Sequence, residues 1–195
     1  MMASAGILAG GQARRFDGRD KGALAIDGRT ILERQVAELS TIADEILLVG
    51  AKAPQLAVRP VDDLVPGCGP LGGVHAAIAH AAHDITIVVA CDMPYLSAPF
   101  LAYLAGLAAE WEAVVPRTDD GCHPLCAAYT RRCLEPITRH LAAGRLKMTD
   151  LLAAVRVRLV TAEEIGAFGD ARRLLANVNT PADYLGIDAL DHHGL

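Results

Sequence analysis

The run Ile85-Thr86-Ile87-Val88-Val89-Ala90 constrains the fold of this chain more than any other stretch. Side chains of a strand alternate between two faces, and here neither face reads as polar enough to lie in water. Such a run suits a central strand of a parallel sheet covered by helices on both sides. A turn residue, Asp84, precedes it, and it ends at Cys91-Asp92-Met93-Pro94.

The flanking sequence supplies the helices. Ala5 to Ala9 reads as a buried strand, Thr30 to Thr41 as a helix and Glu45 to Val49 as a second strand, a βαβ opening. A loop from Gly50 to Ala57 leads to a short strand near Val58 to Val61, which ends at Asp62-Asp63. Pro66-Gly67-Cys68-Gly69-Pro70-Leu71-Gly72-Gly73 reads as a glycine-rich turn before a helix from Val74 to Ala82. Beyond the central run, Pro99 to Ala109 is expected as helix, Ala113 to Pro116 and Ala127 to Tyr129 as strands, Arg131 to Ala143 and Lys147 to Ala154 as helices, and Arg156 to Val160 as a late strand. At 195 residues and 52% hydrophobic content, with no internal repeat or linker, the chain is expected to form one domain over residues 1–195. The expected architecture is a three-layer α/β/α sandwich with a Rossmann-like, mostly parallel central sheet.

Open α/β sheets bind ligands beyond the carboxyl ends of their strands, and the polar motifs fall there. The first strand runs into Leu8-Ala9-Gly10-Gly11, followed by Arg14, Arg15, Arg19 and Lys21. Gly10 and Gly11 let a ligand approach the backbone so that successive N–H groups converge on an anion. The cations that follow neutralise charge that amides alone leave uncompensated. Asp62 closes the third strand and Asp92 the central one, where a carboxylate offers a hard oxygen ligand to Mg²⁺. Simpler readings stand beside these: a plain strand-to-helix turn at Gly10-Gly11, a solvated arginine face, a turn-capping Asp92, Asx-turns at Asn177 and Asn179, and a His123 that supports the turn with Pro124.

The formal net charge is -5, so the basic cluster near the N-terminus stands out against an acidic background. That pattern points to a local anion site and away from a nucleic-acid surface. No segment reaches about 18 uninterrupted apolar residues, and the first residues carry no basic leader, so no membrane association and a cytoplasmic location are expected. The five cysteines, Cys68, Cys91, Cys122, Cys126 and Cys133, form no CxxC pair and read as reduced thiols. Cys122, His123 and Cys126 lack the second ligand pair of a zinc site.

The ordered set Leu8-Ala9-Gly10-Gly11 with Arg15 and Asp20-Lys21, then Gly69-Pro70-Leu71-Gly72-Gly73, Cys91-Asp92-Met93-Pro94, His123-Pro124-Leu125 and Asn177-Val178-Asn179-Thr180-Pro181 resembles the molybdenum cofactor guanylyltransferases. The first motif is shared by many nucleotidyltransferases of the same fold; the closing Asn-Val-Asn-Thr-Pro is more specific. The resemblance implies Mg²⁺-dependent transfer of GMP from GTP to molybdenum-molybdopterin, giving molybdopterin guanine dinucleotide and pyrophosphate. By position, it implies nucleotide contacts from Leu8, Ala9, Gly10, Gly11, Lys21, Gly50, Asp62, Gly69, Gly73 and Asp92, with Arg15, Lys21 and Asp92 catalytic and Asp92 on the metal. Asn177 and Asn179 then face the pterin half, so the N-terminal part takes GTP and the C-terminal part contributes to molybdopterin binding. Handover to cofactor-insertion proteins or molybdoenzyme chaperones is a further family-level implication. One departure concerns the base: after the second strand, where the family often has asparagine, this chain has Gly50. A related cytidylyltransferase or other nucleotidyltransferase, and a non-catalytic nucleotide- or cofactor-binding protein, therefore stay open as alternatives.

Overall fold

The computed structural model describes residues 2–9, 25–26 and 28–178. In chain order its elements are β1 (Ser4–Leu8), β2 (Ala25–Ile26), β3 (Arg29–Thr30), α1 (Ile31–Leu39), β4 (Glu45–Val49), β5 (Arg59–Val61), α2 (Gly69–His80), β6 (Ile85–Ala90) and α3 (Ala98–Leu107). They continue with β7 (Ala113–Thr118), β8 (Gly121–Cys122), β9 (Cys126–Thr130), a 3-10 turn at Arg131–Cys133, α4 (Leu134–Ala142), α5 (Met148–Ala154), β10 (Val157–Val160), α6 (Ala162–Gly166) and α7 (Ala171–Leu174).

The main sheet has the strand order β10-β7-β9-β6-β1-β4-β5, with β8 paired to β7 at one end. β6, β1, β4 and β5 run parallel, as do β7 and β10. β9 lies antiparallel between β6 and β7, so the sheet is mixed. β2 and β3 form a separate hairpin.

Both faces of the sheet are apolar, as the β6 sequence requires. Ile87 and Val89 join Ala5, Ile7, Ile46 and Leu48 in a core against Leu39 of α1 and Phe100, Leu101 and Leu104 of α3. Val88 faces the other way, with Leu8, Leu47 and Val49, against Leu71, Val74 and Ile78 of α2, Ile137 of α4 and Leu151 of α5. Two cores separated by one sheet make the three layers. On α1 the buried stripe is Ile31, Gln35 and Leu39, spaced one helical turn apart, and the helix opens with a capping box in which Thr30 and Glu33 exchange hydrogen bonds.

One sequence expectation is corrected. Gly69 to Gly73 is the first turn of α2, and the loop ahead of it ends at Cys68. Pro70 suits an opening helical position, and the small residues let α2 approach the sheet closely: a Cβ built on Gly73 would sit 3.2 Å from Leu8 Cδ1.

Candidate functional site

The carboxyl ends of four parallel strands form one row. Leu8 pairs in register with Val49 on one side and Ala90 on the other, and Val49 pairs with Val61. The residues that follow are held by continued ladder bonds. Ala9 N donates to Val49 O (3.0 Å), Gly50 N to Val61 O (2.9 Å) and Cys91 N to Leu8 O (3.2 Å). Ala9, Gly50, Asp62 and Asp92 therefore emerge along one edge of the sheet, with Asp62 and Asp92 three strand spacings apart, about 14 Å.

Of the residues singled out from sequence, Leu8 and Ala9 are buried, Gly50 is half-buried and turns the chain with φ 77°, and Asp62 is exposed. Leu8 directs its side chain into the core beside Gly73, so only its backbone faces the strand end. Gly69 is exposed and Gly73 is buried. Gly10, Gly11, Arg14, Arg15, Arg19, Lys21 and Asn179 lie outside the described residues.

Asp92 is the member of the row that the closing motif touches. It is separated from the end of β6 by one residue, Cys91; its Oδ1 is buried, while the residue as a whole is half-exposed. Val178 N donates to Asp92 O at 2.8 Å, which seats the closing Asn-Val motif against the end of β6. A single carboxylate at this place fits Mg²⁺, which takes one or two carboxylates together with substrate phosphate oxygens and water. Among the described residues no group of three or more His, Cys, Asp or Glu gathers as a metal cage. Cys126 does not serve as a ligand: burial pushes its thiol up to about 12, and it packs in the core.

Asn177, exposed, lines a cavity of about 200 Å³ together with Pro70 from the start of α2, Met93, Met148 and the His123-Pro124-Leu125 segment. Four motifs that are remote in sequence thus share one wall. The His123 segment is braced from beneath, where the buried Tyr129 hydroxyl donates to Pro124 O (2.7 Å) and Cys126 N to His123 O (3.1 Å). His123 has a partner that the sequence did not reveal: its Nε2 lies 2.9 Å from Thr118 Oγ1 across the β7–β8 turn. Burial lowers its pKa, against a weaker upward pull from Asp120, so the ring is held neutral.

The edge therefore offers a backbone row beside Asp92, and next to it a mostly apolar cavity with a few polar groups, the usual composition of a small-molecule site. Among the described residues no helix is long and apolar enough to cross a membrane.

Comparison with known proteins identifies the family of the chain. Residues 5–159 match the family model of the MobA-like NTP transferase domain. The chain is 34% identical over 186 residues, 94% of its length and 90% of the relative's, to a probable molybdenum cofactor guanylyltransferase of Pelotomaculum thermopropionicum. It is likewise 34% identical to the molybdenum cofactor guanylyltransferase of Desulfosudis oleivorans, over 89% of this chain and 88% of that one. Among solved structures it resembles molybdopterin-guanine dinucleotide biosynthesis protein A from Archaeoglobus fulgidus, with TM-score 0.80 and 25% identity over 97% of this chain and 99% of the other. A cytidylyltransferase for 2-C-methyl-D-erythritol 4-phosphate from Thermus thermophilus shares the fold, with TM-score 0.73 and 21% identity over 98% and 100% of the two chains.

Proposed function

Because the chain belongs to the MobA-like NTP transferase family, we propose that the site at the carboxyl edge of its sheet transfers GMP from GTP to molybdenum-molybdopterin, forming molybdopterin guanine dinucleotide and releasing pyrophosphate. The observation that carries this reading is the bond from Val178 N to Asp92 O. It brings the residues suited to a second substrate against the carboxylate suited to a metal–nucleotide complex.

The chemistry asks little of the protein beyond placement and charge. An oxygen of the acceptor's terminal phosphate forms a new bond to the α-phosphorus of GTP as the bond to the β-phosphate oxygen breaks. That acceptor is already an anion, so no general base is needed. In-line positioning and neutralisation of the phosphates lower the barrier. Lys21 and Arg15, with the backbone of Leu8, Ala9, Gly10 and Gly11, are assigned to hold the phosphates. Asp62 is assigned to the nucleoside side, Gly50 to the nucleotide contacts, and the Gly69–Gly73 turn of α2 to the lining of the site. Asp92 would hold Mg²⁺, which when bound supplies charge neutralisation on the phosphate oxygens. Asn177 and Asn179 are assigned to the pterin, so the N-terminal part of the single domain takes GTP and the C-terminal part the acceptor. A cytoplasmic location and release of the product to a cofactor-insertion protein or molybdoenzyme chaperone complete the proposal.

Incubation of the purified protein with GTP, Mg²⁺ and molybdenum-loaded molybdopterin is expected to yield pyrophosphate and the dinucleotide in equal amounts. GTP binding without turnover would replace this reading with that of a binding protein. Gly50, which offers no side-chain hydrogen bond to a base, is the reason to run CTP in competition; a product carrying cytosine in preference would move the chain to the cytidylyl branch.

A further inference from the structure

Gln35 lies on the buried stripe of α1 and is completely inaccessible to solvent. Its side-chain amide donates twice, from Nε2 to Ala90 O at 2.8 Å and to Met93 O at 2.9 Å. Those two carbonyls bracket Cys91-Asp92. Because a carbonyl only accepts, they fix the orientation of the amide, with both N–H groups toward the loop. The other end of the amide, Oε1, is buried and accepts no hydrogen bond among the described residues.

That asymmetry separates Gln35 from a packing residue. A methionine would fill the same space between Ile31 and Leu39 without burying an unsatisfied oxygen. The fold tolerates a desolvated acceptor on one end of this side chain to deliver two donors from the other. The bonds are also placed where the strand ladder ends. Cys91 N is tied to β1 through Leu8 O, Ala90 N to Leu125 O and Asp92 O to Val178 N. Gln35 supplies the anchor from the α1 side, so the main chain under Asp92 is held by groups from α1, β1, the approach to β9 and the closing motif.

We propose that Gln35 is a positioning residue for the reaction: by clamping Ala90 O and Met93 O it sets the Asp92 carboxylate where a metal–nucleotide complex meets it. The proposal rests on the metal-ligand reading of Asp92, and the test keeps the two apart.

GTP affinity is measured by titration calorimetry with Mn²⁺ and again in EDTA, for the wild type, Gln35→Met, Asp92→Asn and the double variant, together with thermal melting. Asp92→Asn is expected to remove the gain in affinity that Mn²⁺ gives. Gln35→Met is expected to cut that gain about tenfold, the scale of losing an outer-shell support, while GTP binding in EDTA stays at the wild-type value. In the Asp92→Asn background Gln35→Met should add nothing, because it acts through that carboxylate. Equal weakening in EDTA and Mn²⁺, or an undiminished effect in the double variant, would reduce Gln35 to a structural part and overturn the proposal. A full Mn²⁺ gain in Asp92→Asn would overturn the metal reading, and the positioning role with it. A full gain in Gln35→Met beside a lost gain in Asp92→Asn would overturn the Gln35 role alone. Should Gln35→Met not fold, Gln35→Leu, which also lacks both donors, takes its place in the cycle.

Discussion

At Gly50 the backbone turns with φ 77° immediately after β4, in a region that side chains with a Cβ enter at a cost. Asparagine is among the few residues that tolerate it, so the asparagine that the family resemblance leads one to expect here suits the same backbone conformation. Gly50→Asn is therefore expected to leave the melting temperature nearly unchanged and to raise the preference for GTP over CTP, read by competition. Gly50→Val, β-branched and forced into the same φ, is expected to lose about 1–2 kcal/mol in urea unfolding. Asp92 answers to different physics. Its main-chain carbonyl, not its carboxylate, takes the bond from Val178 N, so Asp92→Ala should keep the fold. Mg²⁺-dependent turnover should fall on the order of 10²-fold or more, the scale of removing one transition-state contact. Near-normal turnover would show that the metal is held elsewhere. Asp92 was legible in the sequence because it ends an unbroken apolar strand. Gln35 was legible only as a polar residue at a core position of α1, with Ile31 and Leu39 one turn to either side; its two carbonyl partners lie 55 and 58 residues away and follow from no local pattern.

At the scale of the element, α2 shows how one composition supports two readings. Glycine and proline clustered over Pro66 to Gly73 signal a turn locally, yet Gly73 lies inside α2 and packs against Leu8 of β1. The closest approach is from the strand side, where a Cβ on Gly6 would lie 2.7 Å from Ala77 Cβ. Neither of those atoms can swing away, so Gly6→Ala must push α2 off β1, at about 1–3 kcal/mol for an overpacked core, measured by urea unfolding. Gly73→Ala meets only the tip of Leu8, 3.2 Å away. A small displacement of that flexible end is opposed by the higher helix propensity of alanine, worth about 1 kcal/mol over glycine. The expected net change is close to zero, so GTP affinity in this variant reports on the backbone of the strand end rather than on unfolding. A Gly73→Ala loss as large as that of Gly6→Ala would show that Leu8 is as rigidly placed as Ala77. Propensity alone ranks both substitutions by local chain, and only the contact across the layers reverses one of them.

For the whole molecule, the layered sandwich was legible because β1, β4 and β6 carry no polar face. The antiparallel insertion of β9 between β6 and β7 was not, since Cys126 to Thr130 reads as a buried strand in either direction. Reversal there lets the chain return to the far end of the sheet, where β10 then pairs with β7. That distal side is closed by Glu164 of α6, whose Oε1 accepts from the Tyr103 hydroxyl of α3 at 2.8 Å and from Arg158 of β10, while Oε2 accepts from Thr161 N at 2.9 Å. The Thr161 N–H bond, with the Tyr103 and Arg158 contacts against a desolvation penalty, holds this carboxyl down to about 2 from an ordinary 4.5. A pKa lower in the folded than in the unfolded chain means that the unfolded chain binds the proton first as the medium is acidified. The stabilisation is therefore complete above pH 4.5 and drains away as pH falls through that value toward about 2. Other paired carboxylates titrate there too, Glu45 among them, so the informative quantity is the difference between the wild type and Glu164→Gln in urea unfolding across this range. Glutamine is expected to be the less stable at neutral pH, with the gap narrowing as pH approaches 2. A gap that stays constant with pH would mean that Glu164 contributes through packing and neutral hydrogen bonds, and that its charge does not hold α3, α6 and β10 together.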